Sequence, residues 1–231
     1  MGRVLPRCVT RPPYSMVTNR EIPDVIRTLK RLIRQWDEPI VGHYRDDPFS
    51  TLISCLLSLR TKDETTRGAS ERLFRLARAP ERMLALSPAT IERAIFPVGF
   101  YRTKARTIRA VCRTLLERYG GRVPDDLDEL LTIKGVGRKT ANLVVTLAFQ
   151  KDGICVDTHV HRISNRWGYV RTKRPEATEM ALRRKLPRRY WQIYNDLLVT
   201  FGQNLCHPTS PWCSRCPLES RCAKVGVTHS R

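Results

Sequence analysis

Four cysteines near the C-terminus have the spacing of a metal-binding loop. Cys206, Cys213, Cys216 and Cys222 fall within seventeen residues, with six, two and five residues between successive thiols. Thiolates at this density can hold Zn²⁺ or an iron–sulfur cluster. Zinc ribbons usually pair two close-spaced knuckles, whereas only one spacing here is short, so the pattern favours a loop around a larger cluster. Four unligated thiols are the alternative.

The segment IKGVGRK at residues 133–139 can bind a phosphate group. Two glycines two residues apart, between predicted helices, permit a tight turn. Backbone N–H groups of the turn and of the next helix then point outward and attract an anion. An αα-hairpin with glycines for close packing is the alternative, but the basic side chains of Lys134, Arg138 and Lys139 favour phosphate. The predicted phosphate contacts are Gly135, Val136, Gly137 and Arg138.

A single carboxylate, Asp157, precedes a predicted helix in the segment VDTHV at residues 156–160. An aspartate at this position accepts hydrogen bonds from the first N–H groups of the helix. Those donors and the helix dipole favour the ionised carboxylate. Asp157 is therefore predicted to be an N-cap and also an anion that can stabilise a nearby developing cation.

The chain is strongly basic. Its 231 residues contain 42 Lys and Arg against 22 Asp and Glu, which gives 42 − 22 = +20. Residues 160–231 hold 14 basic and 4 acidic side chains, or 14 − 4 = +10. Such an excess predicts a polyanionic partner, nucleic acid first and an anionic membrane surface second. No apolar run approaches the ~18 residues of a membrane span, which excludes a transmembrane protein.

The first twenty residues contain three prolines and four arginines but no continuous apolar stretch. They do not resemble a secretory signal, so we expect an intracellular protein, in the cytoplasm or at the nucleoid, without a disulfide framework. Residues 1–20 are predicted to be a disordered basic arm; a transit peptide is the alternative. We also expect the chain to be a monomer.

Apolar residues recur at helical spacing almost throughout the chain, and convincing period-2 strands are absent, so the predicted fold class is all-α. Asp47-Pro48 and Ser87-Pro88 are typical helix starts, and the apolar run after Pro48 predicts a buried central helix. The predicted helices begin at Ile22, Pro48 and Pro88 and cover residues 101–119, 126–132, 138–149, 158–167, 175–186 and 188–201.

Three motifs in this order, IKGVGRKTANLVV, VDTHVHRISNR and the cysteine loop, resemble the endonuclease III family of helix-hairpin-helix DNA glycosylases with a Gly/Pro-rich loop and an aspartate. The segments LISCLLSLRTKD and VGFYRTKA are also similar to the family. The resemblance implies two helical lobes with a cleft between them. Residues 41–151 would form a six-helix barrel, and residues 21–40 with 152–231 a second lobe whose four cysteines hold a [4Fe–4S] cluster.

The resemblance also implies an activity. Lys139 matches the family's nucleophilic lysine, and Asp157 its essential aspartate. The chain is thus expected to be a bifunctional DNA glycosylase/AP lyase of base excision repair, removing oxidised or ring-saturated pyrimidines from damaged double-stranded DNA. A Schiff base on Lys139 precedes β-elimination 3′ to the abasic site. The helix start and cationic Arg138 disfavour the ammonium, so we expect an uncharged amine once DNA buries it.

Base removal requires that the nucleotide leave the base stack. Arg60 and Phe100 match the positions at which the family places residues that fill the vacated space. This chain departs from the family pattern at three positions: Arg60 replaces a common glutamine, Phe100 a common aliphatic residue and Lys134 a common proline. These departures bear on substrate range and strand preference. For Phe100 the alternative is a core aromatic.

Three other functions fit parts of the pattern. A monofunctional mismatch glycosylase of the same superfamily would leave the abasic strand intact, but it has a different residue at the position of Lys139. A non-enzymatic DNA-binding iron–sulfur module would account for the hairpin and the charge, but not for Lys139 together with Asp157. A zinc protein would account for the cysteines alone.

Overall fold

The computed structural model describes residues 16–36 and 43–231, and within these ranges the chain is all-helical, with no β-strand. None of the helices there combines the length and the apolar character needed to cross a membrane. The α-helices in chain order are α1 (Ile22–Leu32), α2 (Pro48–Ser58), α3 (Asp63–Leu76), α4 (Pro80–Ala85), α5 (Pro88–Ile95), α6 (Tyr101–Tyr119), α7 (Leu127–Thr132), α8 (Arg138–Leu143), α9 (Thr158–Arg166), α10 (Pro175–Lys185) and α11 (Trp191–Asn204).

Several helix boundaries follow from local chemistry. The side chain of Asp47 accepts a hydrogen bond from the N–H of Phe49 at the start of α2, and Ser87 accepts one from Thr90 at the start of α5. Helix α6 ends where Gly120 adopts a left-handed conformation (φ 58°), which a residue without Cβ adopts at little cost. The predicted bounds of α6 are confirmed.

The structure differs from the predicted helices in three places. Helices α3 and α4 were not predicted, because the buried face of α3 carries small and polar residues that produce no apolar period. The helix expected over residues 138–149 is α-helical only to Leu143, and a wider π-helical turn follows over Val144–Ala148. The last long helix begins with a 3₁₀ turn at Arg188–Tyr190 and extends to Asn204.

A first hydrophobic core is built by α2 to α8. Helix α2 lies at its centre: every residue from Phe49 to Leu57 is buried, which confirms the predicted central helix. Helix α6 packs against it with Ala105, Ile108 and Leu115, all buried. This core carries α8, the helix that begins at the glycine hairpin.

A second hydrophobic core joins α1 to α9, α10, α11 and the cysteine loop. Val17 belongs to it: this residue is 1% exposed, and its N–H donates to the carbonyl of Trp167. The expected disordered arm at residues 1–20 therefore needs a correction at its end, because Val17 packs in the second core and Oδ1 of Asn19 accepts a hydrogen bond from the hydroxyl of Tyr169. Residues 1–15 lie outside the described residues.

Three isolated cysteines of the described residues are buried. Cys55 from α2 and Cys155 from the segment before α9 pack with Leu143 in a small separate cluster. Cys112 is buried in the first core. The isolated cysteines in the described part of the chain thus act as small apolar residues, as predicted.

Candidate active site

A cavity of about 860 Å³ opens between the two hydrophobic cores. Its walls come from the end of α2, the starts of α3, α6, α8 and α9, and from α10 and α11. Six of the residues singled out in the sequence line this single cavity: Arg60, Phe100, Gly137, Arg138, Lys139 and Asp157.

Lys139 lies in the first turn of α8. Burial of the ammonium is the largest single influence and lowers the pKa of Lys139, but four acidic groups together raise it above its ordinary value: Cys155, Asp157, Cys55 and Asp63. Burial raises the pKa of the Cys155 thiol well above its usual range, and Cys155 is therefore neutral at neutral pH. Of the two carboxylates that raise the pKa of Lys139, Asp157 and Asp63, Asp157 has the larger effect. In the protein without DNA the surroundings of Lys139 thus raise its pKa, and the uncharged amine expected in the DNA complex stays a prediction.

Asp157 is the N-cap of α9, and its carboxylate accepts a hydrogen bond from the N–H of Val160 at 2.9 Å. This confirms the predicted cap. Because the hydrogen bond fixes the side chain at the helix start, the negative charge is held on the cavity wall. The neighbouring Val156 is buried and lines the same cavity.

Arg138 is engaged by a buried carboxylate. Its Nε and Nη2 donate to Glu179 at 2.7 and 3.0 Å, and Arg183 donates to the same carboxylate at 2.9 Å. Glu179 is 2% exposed and raises the pKa of Arg138 through these hydrogen bonds. The charge of the Arg138 guanidinium is therefore compensated within the protein by Glu179.

The two glycines of the hairpin have different roles. Gly135 has φ +97°, and a Cβ there would lie 2.5 Å from Cγ2 of Thr107, so the turn itself requires glycine. A Cβ on Gly137 would meet nothing within 4 Å. Val136 is buried in the first core and its N–H donates to the carbonyl of Ile133, so the structure gives Val136 a packing role that the sequence analysis did not predict.

Arg60 and Phe100 face each other at the mouth of the cavity. Both have left-handed backbone conformations, with φ of 53° and 56°, which cost about 1–3 kcal/mol each for residues with a Cβ. The guanidinium of Arg60 lies 5.8 Å from the centre of the Phe100 ring. Phe100 is 64% exposed, so it is not a core aromatic.

The four cysteines of the C-terminal loop line one cavity beside Arg166 and Trp212. All four are free thiols. Burial raises the pKa of Cys216 to about 12, and the other three thiols add to the increase, which indicates that the four groups are close together. Among the described residues, however, no group of three or more His, Cys, Asp or Glu side chains is placed to hold a single metal ion.

Two buried charged residues at the cavity, Lys104 and Glu179, were not identified from the sequence. Both are charged residues on the apolar faces of their helices: Lys104 precedes Ile108 by four positions, and Glu179 precedes Leu182 by three. Both side chains are buried or nearly so. The sequence feature that could have identified these two residues is a charged side chain among the apolar residues of a helix face.

Residues 53–188 match the family described as HhH-GPD superfamily base excision DNA repair protein. The chain is 48% identical over 181 residues to "Endonuclease III" of Thermotoga maritima, a match that covers 78% of this chain and 85% of that protein. The chain belongs to the endonuclease III family. Membership makes it a base excision repair enzyme of the DNA glycosylase/AP lyase type.

Solved structures agree with this assignment. The fold is similar to the enzyme in "Structure of a Trapped Endonuclease III-DNA Covalent Intermediate: Estranged-Adenine Complex", with a TM-score of 0.82, 35% identity, and coverage of 90% of this chain and 97% of that chain. A thermostable thymine-DNA glycosylase is also similar, with a TM-score of 0.76, 25% identity and coverage of 89% and 97%.

Proposed function

We propose that this endonuclease III family member removes oxidised or ring-saturated pyrimidines from duplex DNA and cleaves the strand through Lys139. The observation that carries the proposal is the placement of Lys139 and Asp157 on the wall of one cavity of about 860 Å³. That volume falls within the range of about 300–1,000 Å³ typical of ligand sites. An amine and a carboxylate that line the same cavity can both reach the sugar of a nucleotide bound there.

Lys139 acts as the nucleophile in the proposed reaction. Its lone pair forms a bond to C1′, and the C1′–N bond breaks with its electron pair leaving on the base. Ring opening gives a Schiff base, which acidifies the 2′ hydrogen. Loss of that proton breaks the bond from C3′ to its phosphate oxygen. Because the pKa of Lys139 is raised in the free protein, a proton must leave the amine before attack.

Asp157 has an electrostatic role. The carboxylate held at the start of α9 stabilises positive charge that develops at C1′ as the base departs. The same carboxylate is the anion that favours the ammonium of Lys139. It is therefore the group best placed to take part in relaying the proton that Lys139 must lose.

The hairpin binds the DNA backbone in this proposal. The protein itself does not require a glycine at position 137, because a Cβ there would meet nothing within 4 Å. The missing side chain instead lets a DNA phosphate approach the backbone closely. The first N–H groups of α8 lack intrahelical acceptors and can bind a phosphate together with Gly135 and the backbone of Arg138. At the mouth of the cavity, Arg60 and Phe100 enter the stack when the nucleotide leaves it.

The cysteine loop is proposed to hold a [4Fe–4S] cluster through Cys206, Cys213, Cys216 and Cys222. Four free thiols around one cavity fit such a group, and their spacing of six, two and five residues favours a larger cluster over one zinc ion. Bound there, the cluster supplies structural cross-linking of the loop. The N–H of Lys224 already donates to Sγ of Cys222 at 3.4 Å.

We further propose the division into a barrel over residues 41–151 and a second lobe formed by residues 21–40 with 152–231. The two separate cores support it. We also propose that the enzyme is a monomer and that it acts on DNA in the cytoplasm or at the nucleoid.

Borohydride trapping tests the proposed reaction. A duplex with one abasic site should become covalently joined to the protein in the presence of borohydride, because only a Schiff base is reduced to a stable amine. Base release from a dihydrouracil duplex without trapping or strand cleavage would instead indicate a monofunctional glycosylase, the activity class suggested by the similar thymine-DNA glycosylase.

A further inference from the structure

Lys104 lies beneath the mouth of the cavity and has no part in the reaction described above. It occupies the first turn of α6 and is 9% exposed. Burial lowers the pKa of Lys104 to about 8, so its ammonium form still predominates at neutral pH. An ammonium has three protons to donate, and a buried one must find an acceptor for each.

The three acceptors of Lys104 all lie at the end of α2 and in the loop that follows it, residues 59–62. Its Nζ donates to the carbonyls of Leu57 and Leu59, both at 2.6 Å, and to Oγ1 of Thr61 at 3.1 Å. Carbonyls at a helix C-terminus lack intrahelical donors and attract a cation. The ammonium therefore fixes the backbone on both sides of Ser58 and immediately before and after Arg60.

The same contacts reach the second loop, residues 96–100, which carries Phe100. Oγ1 of Thr61 accepts a hydrogen bond from the N–H of Gly99 at 3.2 Å. The loops also touch directly, because a Cβ on Gly99 would lie 2.9 Å from the carbonyl oxygen of Arg60. The carbonyl of Phe100 in turn accepts from the N–H of Lys104 at 2.9 Å.

We propose that Lys104 is a positioning residue which holds Arg60 and Phe100 together as one rigid wedge for insertion into the DNA stack. Both residues have a left-handed backbone conformation, which persists only where the surroundings enforce it. Lys104 and Thr61 supply those surroundings. The inference rests on the proposed function, because it assigns a purpose to residues that line the cavity with Lys139 and Asp157.

The wedge is needed only when the target nucleotide must leave a base stack. The test therefore compares an abasic site in a duplex with the same site in a single strand. Lys104→Met keeps the length of the side chain and removes its donors. Borohydride trapping is measured on an abasic site in a duplex and on the same strand alone. We expect the duplex rate to fall by about tenfold or more, as misplaced groups commonly cause, while the single-strand rate stays near that of the unmodified protein.

A spectroscopic signal reports the wedge directly. With 2-aminopurine opposite the abasic site, insertion unstacks the probe and increases its fluorescence; Lys104→Met should reduce this increase. Lys30→Met is the matched control, since Lys30 is an exposed lysine on α1 and its loss changes the net charge equally. Equal losses on duplex and single strand, or an unchanged fluorescence increase, would refute the role of Lys104.

The outcomes also separate this inference from the proposed function. If the unmodified protein is not trapped on either substrate, the proposed function fails first. If the unmodified protein is trapped and Lys104→Met has the same ratio of duplex to single-strand trapping rates as the unmodified protein, only the proposed role of Lys104 is refuted. Should Lys104→Met not fold, as judged by circular dichroism, Thr61→Val replaces it, because this variant removes the hydroxyl shared by Lys104 and Gly99, and the same ratio decides.

Discussion

Arg138 and Glu179 form a two-hydrogen-bond ion pair, at 2.7 and 3.0 Å, that joins the helix of the hairpin to α10. The pair links the two hydrophobic cores next to Lys139, because α8 packs in the first core and α10 in the second. Its carboxylate side is buried and also binds Arg183. The charge of Arg138 is therefore compensated within the protein.

Removal of the shared carboxylate should destabilise the protein. Glu179→Gln leaves two guanidinium groups without their anion, which costs about 3 kcal/mol for a buried pair, or a decrease of roughly 6–12 °C in Tm for a chain of this size. Thermal unfolding followed by circular dichroism measures the change. Glu117→Gln, at an exposed glutamate on α6 outside the cavity walls, is the control and should leave Tm nearly unchanged. An equal Tm for both variants would contradict the stabilising role of Glu179.

Loss of the amine should abolish strand cleavage without abolishing DNA binding. Lys139→Gln keeps a polar side chain of similar size but supplies no nucleophile, so single-turnover cleavage of an abasic duplex should fall by about 10⁴-fold or more. Gel-shift titration with the same duplex should give an affinity close to that of the unmodified protein. Cleavage that persists at a normal rate would remove Lys139 from the mechanism.

The pH dependence of trapping should reveal the coupling between Asp157 and Lys139. Burial lowers the pKa of Lys139, and Asp157 is among the groups that raise it; Asp157→Asn therefore lowers this pKa. The fraction of neutral amine increases as pH approaches the pKa from below, so the rising limb of the trapping profile should move to lower pH. Asparagine is also a good N-cap, which preserves α9.

Although Asp157→Asn should make the neutral amine available at lower pH, the rate of base release should decrease. Loss of the anion removes stabilisation of charge at C1′, so base release by Asp157→Asn should fall by about 10²–10³-fold. Asp125→Asn, at a half-exposed surface carboxylate paired with Lys151, is the control for both measurements. A rising limb at the same pH for the unmodified protein and both variants would show that Asp157 does not raise the pKa of Lys139.

The sequence predicted those parts of the structure that depend on local chemistry. Proline and aspartate at helix starts, glycine at the end of α6 and the apolar run of α2 each act within a few residues, so the helices could be located from spacing. Helix α3 could not, because its buried residues include Thr66 and Ser70, whose packing against α2 and α5 is determined by tertiary contacts.

The sequence identified candidate residues of the site, but it could not predict the pKa of Lys139 or the ion pair of Arg138. The motifs identified Lys139 and Asp157 as candidate catalytic residues, and both line the same cavity. The pKa of Lys139 depends on groups distant in sequence, among them Cys155 and Asp157. Glu179, which engages Arg138, lies 41 positions further along the chain. Such partners appear only when the helices pack.

The cysteine loop should lose its cluster when one ligand is changed. Cys213→Ser removes one thiolate, so the purified variant should contain less iron and acid-labile sulfide per chain and should lose the brown colour. Cys112→Ala is the matched control, because this thiol is buried in the first core and remote from the loop, and it should retain full iron. Stoichiometric zinc without sulfide in the unmodified protein would refute the proposed cluster.

The hairpin lysine provides a quantitative test of phosphate binding. Affinity for a non-specific duplex should decrease with salt, with a log–log slope of about −0.9 per phosphate contacted. Lys134 is exposed in the hairpin, next to Gly135, so Lys134→Gln should reduce the magnitude of that slope by about 1. Lys30→Gln removes the same charge from the exposed side of α1, outside the cavity walls, and should preserve the slope. Equal slopes for the two variants would show that net charge, rather than the hairpin, determines binding to the DNA backbone.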